Sequence, residues 1–357
     1  MYSVLNYYIR RVIISNITVV FLVLLSLSSI MRLVDELRKI GEGNYSVCDI
    51  VVYIILNVPK DFELFFPIAT LLGGLLGLSV LEMHNEFIAM QVSGFSRLQI
   101  ILSVIKASIP VLLCSFIFNE WVVPNSEKIM CAYRNQLQYD TGLFPIKIKN
   151  LWFIDNNDFV YVECVADYDE LLGVKLYNFS QEKKLKKIFY IERAVFINKI
   201  WHLIDVNELD ISSETCFTNK KIPHSEWHPI LTPYRLSMMI THPNVLPISK
   251  LYHCVKYFDK IGQSSKYYQI IFWNKILSPI SGSAMILMAL ACTFGPLCKK
   301  NMGVRLFVGS IVGFLFYILN QIFGILSGIY SVSPIVGSIS PSIIFLIISI
   351  VIICIYL

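Results

Sequence analysis

Six apolar runs decide what this chain can fold into. Residues 12–31, 64–81, 98–118, 276–294, 306–329 and 332–357 carry no Asp, Glu or Arg, and Lys106 is the one charge inside them. About 20 apolar residues make a helix of about 30 Å, the thickness of a bilayer's hydrocarbon core. Lipid offers the backbone no hydrogen bonds, so runs of this kind cross it as helices that satisfy themselves. Arg10 and Arg11 before the first run would also suit a secretory leader. That run is longer than a leader's apolar core and five more follow, so it is kept as a span. The bulk composition agrees: 55% hydrophobic against 15% charged residues is outside the range of soluble domains. The net charge of +5 is dispersed and forms no basic stripe with interleaved aromatics, which leaves nucleic acid without a footprint.

Six alternating spans put Arg10, Arg11, Arg97, Lys299, Lys300 and Arg305 on one side. The opposite short loop balances Arg32, Arg38 and Lys39 against Asp35, Glu36, Glu42 and Asp49. The positive-inside rule then makes the first side cytoplasmic, both termini with it, and exports the stretch between spans three and four. The expected fold is an α-helical membrane protein of six transmembrane helices with an inserted, exported all-β domain. Its divisions are 1–121 (spans one to three), 122–266 (β domain and linker) and 267–357 (spans four to six).

Within the insert, 159–165 and 173–179 have strand composition with partial alternation. Residues 188–197 and 200–204, joined at Asn198 and Lys199, read as a hairpin, and 155–158 as a turn. Short strands at turn-marked spacing suggest a sandwich or jelly roll. Such a domain offers a partner an edge or groove, or simply caps the membrane part. The Pro-rich stretch 223–247 reads as the linker back to the membrane.

No G-x-x-x-x-G-K-[ST] loop is present, so the chain has no P-loop with which to cradle ATP phosphates. H-E-x-x-H and paired C-x-x-C are also missing, and His224, His228, His242 and His253 lack ligand spacing. Among the nine Cys, Cys114, Cys292 and Cys354 sit in apolar runs, while Cys131, Cys164, Cys216 and Cys254 fall in the insert without a spacing that demands pairing. The expectation is a non-enzymatic chain without cofactor or metal.

Two charged places stand out. Between spans two and three, Met83, Phe87 and Met90 recur at helical spacing, Glu82, Asn85 and Glu86 fall off that stripe, and Gly94 marks a stop. An acidic amphipathic helix there either docks on a partner or lies on lipid headgroups; headgroup-binding helices favour Lys and Arg. At the other face, Arg32, Asp35, Glu36 and Lys39 can form a local ion ladder. Charges at 59–63 interrupt an apolar stretch that would otherwise measure about 48 Å as one helix. Basic side chains there can hold lipid phosphates or merely snorkel. Gly73, Gly74 and Gly77 allow close helix contact.

The motifs VPKD at 58–61, FFP at 65–67, LLG at 71–73, NEF at 85–87, MQVSGF at 90–95 and NEWV at 119–122 occur in an order that continues with Tyr257, Gln269 and WNK at 273–275. FGPL at 294–297, MGVR at 302–305 and QIFG at 321–324 complete it. This order resembles the lipopolysaccharide-export permease family (LptF/LptG) over essentially the whole chain, closer to the LptG branch at Asp35, 58–61 and 321–324. The resemblance implies one half of a heterodimer with an LptF-type sister permease, seated on a cytoplasmic dimer of an LptB-type ATPase. Such a complex extracts lipopolysaccharide from the outer leaflet of the inner membrane and passes it to an LptC-type periplasmic protein through jelly-roll domains. By carry-over, Glu82, Glu86, Phe87, Met90, Gly94 and Phe95 belong to a coupling helix on the ATPase. Arg32, Lys39, Lys60 and Arg134 contact headgroup phosphates, and Ser29, Phe314, Tyr317 and Gln321 border the cavity and lateral gate. Asn320 and Cys131 depart from the pattern, which leads one to expect an acidic and a basic residue there. Alternatives are an LptF-type subunit, a permease for another large amphiphile, an ion-driven transporter, which would call for carboxylates in the span centres, and a scaffold.

Overall fold

The computed structural model describes residues 2–38, 47–138, 148–155, 158–167, 169–179, 185–197, 200–211, 218–227, 233, 236, 243–261, 264–296, 300–330 and 333–356. Before the β domain come α1 (Tyr2–Leu37), α2 (Val47–Met83), the short α3 (Glu86–Val92) and α4 (Arg97–Ile117). A π-helical turn (Phe118–Val122) carries α4 into α5 (Val123–Gln138). After the β domain come α6 (Ile248–Ile261), α7 (Lys266–Phe294), α8 (Met302–Ile329) and α9 (Pro334–Tyr356). Among the described residues, six segments are long and apolar enough to cross a membrane: Asn6–Leu37, Val47–Met83, Arg97–Met130, Lys266–Phe294, Met302–Ile329 and Pro334–Tyr356.

The centre of the bundle is α2, and it corrects one expectation. The charges at 59–63 do not interrupt it; the helix runs through Pro59 and Pro67 for 37 residues, about 55 Å. A charged segment leaves a helix bundle when its charges lack partners. Here neighbouring helices supply them, Arg32 to Asp61 and Glu127 to Lys60. On one side α2 packs against α1, where a Cβ on Gly73 would meet the backbone of Ile17 and one on Gly77 the backbone of Ile13. On the other side Gly309 and Gly313 of α8 lie against Leu75 and Leu71 of α2. Close approach through small residues supplies the van der Waals contact that holds helices together in lipid. In α2 and α7, 61% of the most apolar stretch is buried, against 11% in α1 and 22% in α8. The last two therefore turn most of their surface outward.

The inserted β domain is present as expected, with β1 (Ile148–Asp155), β2 (Asp158–Asp167), β3 (Glu170–Phe179), β4 (Leu185–Ile197), β5 (Ile200–Asp210) and β6 (Thr218–Trp227). Both expected hairpins form, Asp155 opposite Asp158 and Ile197 opposite Ile200; residues 156, 157, 198 and 199 at their tips lie outside the described residues. The described strands form one antiparallel meander in sequence order, rather than the crossed order of a jelly roll. A crease does the wrapping. Asn150, Gly173 and Asp205 all have positive φ, and by the register they stand in one row across alternate strands. On one side of that row Val162, Val174, Ile191 and Val206 pair inward; on the other, Val165, Leu171, Ala194 and Leu203 do so. These rows are an odd number of residues apart. A regular strand would put one of them outside, so the backbone must turn over between them. At Gly173 a side chain would collide with Glu163.

The linker reading of 223–247 also needs correction, because Pro223 and His224 lie in β6. Pro is tolerated there because β6 is an edge strand. The return to the membrane passes through a 3-10 turn, Pro243–Val245, and then α6. Glu120, aimed by the π-helical turn, accepts the first amide of α6 from Ile248 at 2.9 Å. Lys275 of α7, 2% exposed, donates to the carbonyls of Asn244 at 2.6 Å and Leu246 at 3.0 Å. Leu251, Cys254 and Phe258 bury the inner face of α6 against Tyr268, Ile271 and Phe272. Burial pushes the Cys254 thiol up to about 11, the positive charge of Lys250 pulling more weakly the other way. A raised thiol is neutral well above pH 8. Cys254 should therefore alkylate roughly tenfold or more slowly than half-buried Cys164 at pH 8, with its rate still climbing between pH 9 and 11. Mass-spectrometric labelling rates check this.

Candidate functional site

The bundle carries a polar site at each end. At the β-domain end, Arg32, Lys60, Asp61, Glu63, Glu127 and Lys275 share a cleft of about 280 Å³ with Asn274, Tyr317, Asn320 and Gln321. Asp61 and Glu127 are deep, Arg32 and Lys60 shallower, and Lys275 is buried. Asp61 has a side chain 3% exposed and takes Arg32, whose other guanidinium nitrogen donates to Asn57 at 2.9 Å. Ser28 adds a hydroxyl donor to Asp61 at 2.8 Å. Glu127, 1% exposed, takes Lys60 at 3.0 Å, and Lys60 itself is 46% exposed. Arg32 and Lys60 are thus each fixed by a buried anion while part of the charged head still faces the cleft.

Of the expected headgroup set, Arg32 and Lys60 line the same cleft; Lys39 and the side chain of Arg134, a residue of α5, lie outside the described residues. The local ladder is not what holds Arg32, whose partners Asn57 and Asp61 come from α2. Of the expected gate residues, Tyr317 and Gln321 line the cleft. Phe314 points outward at 63% exposure, and Ser29 is half-buried on α1 beside Ser28. Sequence reasoning missed Glu127, Lys275 and Asn57, whose roles depend on contacts between distant segments. It used NEWV at 119–122 as a motif without seeing its geometry: the π-helical turn aims Glu120 at α6 and lets the Asn119 side chain reach Ser278 at 3.3 Å.

The second site is α3 with its flanks. Phe87 and Met90, carried over as coupling-helix residues, are turned inward; Phe87 packs on Phe294 with ring centroids 5.1 Å apart. Apolar side chains still face out, but they are Met83, Ile88 and Val92, the last 84% exposed. Phe95 packs against the same core as Phe87, and Gly94 closes the helix at φ 93° with its amide on Gln91. Ser96 opens α4 with a capping box formed with Gln99, so the segment is fixed at its C-terminal flank. Glu82 is forked by Arg305. Glu86 takes the Tyr8 hydroxyl on one oxygen at 2.9 Å, while its other oxygen is buried and has no hydrogen-bond partner among the described residues. A buried carboxylate oxygen in that state is costly unless a donor reaches it.

The arrangement matches known proteins along its length. The family model for the lipopolysaccharide export system permease LptF/LptG covers residues 7–354. The lipopolysaccharide export system permease protein LptG of Escherichia coli K12 is 40% identical over 323 residues, 90% of this chain and 89% of the relative. The protein of the same name from Haemophilus influenzae Rd is 33% identical over 324 residues, 90% of each.

Proposed function

The chain belongs to the LptF/LptG family and is a multi-pass inner-membrane permease subunit of lipopolysaccharide export; from that premise we propose how its two polar sites divide the work. The α3 end is cytoplasmic and sits on an LptB-type ATPase dimer, so ATP is hydrolysed on a partner chain and this one is not catalytic. Glu86 offers its carboxylate, which takes the exposed Tyr8 hydroxyl, to a basic side chain of the ATPase, and Ile88 and Val92 pack into the same groove. The outward faces of α1 and α8 meet an LptF-type sister permease and border the lipid cavity, with Tyr317 and Gln321 on its wall. In the periplasm the β domain hands lipopolysaccharide on beside an LptC-type protein. At the cleft, Arg32 and Lys60 present cations to the lipid's phosphates, as charge-assisted pairing favours.

The observation that carries this reading is the exposed apolar face of Met83, Ile88 and Val92 at α3, with the Glu86 carboxylate beside it. Glu86→Lys sets like charges together across that contact, a juxtaposition worth several kcal/mol. Co-purified ATPase should fall roughly tenfold or more, with the sister permease still retained. Undiminished ATPase recovery and activity would remove α3 as the docking element.

A further inference from the structure

Arg305 is an expensive residue in its position. It stands in the first turn of α8, where the helix dipole disfavours a cation, its side chain is 5% exposed, and that turn holds no acidic residue. Glu82 answers it from the last turn of α2. Both carboxylate oxygens are engaged by Nη1 and Nη2, the longer contact at 2.8 Å. A two-pronged Arg–carboxylate pair fixes direction as well as distance.

The fork joins two helices that approach closely along their length. Where α8 meets α2, Gly309 and Gly313 admit the side chains of Leu75 and Leu71. On the other flank of α2, α1 rests on Gly73 and Gly77 in the same way. At its cytoplasmic end α1 is held to α3 by the Tyr8–Glu86 hydrogen bond. The two helices with the least buried apolar stretches are thus the two hooked by polar contacts to residues 82–86. There is also room for movement: an open cleft beside the fork is lined by Ser79, Glu82, Asn85, Asn301 and Arg305. The Ser79 hydroxyl is buried there without a partner among the described residues. It sits one turn back along α2, where a shifted guanidinium would meet it.

We infer that the Glu82–Arg305 fork, seconded by Tyr8–Glu86, is the linkage that passes displacement of α3 to α8 and α1. Arg305 is then a positioning residue for lipid movement, acting through Glu82. The inference rests on the docking of α3 proposed above and adds the route from that dock to the cavity wall.

The test uses the whole complex in liposomes loaded with lipopolysaccharide, with ATP hydrolysis and lipid release measured in parallel. Arg305→Gln should keep assembly and hydrolysis within about twofold while lowering lipid release per ATP roughly tenfold, a usual size for coupling between sites. The exchanged pair Glu82→Arg with Arg305→Glu should recover most of that ratio. Arg305→Lys keeps the charge without the fork and should stay well below wild type. If hydrolysis and release fall in proportion, or if Arg305→Lys equals wild type, the fork is a static staple and the inference fails. If the wild-type chain brings down no ATPase at all, the docking itself fails, and the linkage with it.

Discussion

Arg32→Met, with Asp61 left in place, should lower the melting temperature of the detergent-solubilised chain by on the order of 5 °C. Asp61 is buried with a side chain 3% exposed, and its partners are Arg32 and Ser28. Removing one member of a buried pair leaves an uncompensated charge, at a cost of about 3–5 kcal/mol. For a chain of this size each kcal/mol moves the midpoint by roughly 1–2 °C. The informative companion is Arg32→Met with Asp61→Leu. An apolar pair of similar volume is often as stable as the ion pair it replaces, so the double variant should regain most of the lost stability. It should nevertheless fail to respond to lipopolysaccharide, because the cation facing the cleft is gone. Recovery of lipid-stimulated ATP hydrolysis in the double variant would show that Arg32 serves the fold alone.

Gly73→Val is the second large effect, and its comparison is Gly309→Val. At both positions a Cβ falls inside contact distance of a neighbour, but the neighbours differ. Gly73 faces the Cα and amide nitrogen of Ile17, which can move only if α1 moves. Gly309 faces a methyl group of Leu75, which can rotate away. Overpacking costs about 1–3 kcal/mol where side chains adjust and more where backbone must shift. Gly73→Val should therefore sharply reduce the folded chain recovered from membranes, whereas Gly309→Val should be recovered and melt only a few degrees lower. Equal losses at the two sites would mean that α1 is not held through this contact.

How far the sequence could be read follows from the range of each interaction. The apolar runs announce the spans because lipid imposes its requirement on each run separately. The hairpins at 155–158 and 197–200 were legible because turn and strands are neighbours in the chain. The continuity of α2 was not, since Lys60 and Asp61 look like an exit until Glu127 and Arg32 are seen beside them. Strand β6 hid behind Pro223 and a polar composition that only an edge position permits. On α3 the apolar stripe was legible by its spacing, but spacing does not say which way it faces. Phe87 and Met90 fill the core beneath, and the outward face carries Ile88 and Val92, which periodicity alone could not rank. The cleft was half legible: Arg32 and Lys60 could be named, but Glu127 and Lys275 come from helices whose adjacency to them no local pattern records.

The crease in the β domain bears on how this sheet tolerates insertion and deletion. In a regular meander, gaining or losing one residue in a strand turns every later side chain of that strand over. Here each inner strand already turns over at the row of Asn150, Gly173 and Asp205, so its apolar pattern has two independent phases. An extra residue near the crease could be taken up in the existing bend, leaving the Val162–Val174–Ile191–Val206 row and the Val165–Leu171–Ala194–Leu203 row each intact. The same insertion in mid-row would expose half the core. The positions where this domain can change length without losing its fold thus form a line across the strands as well as lying at the hairpin tips.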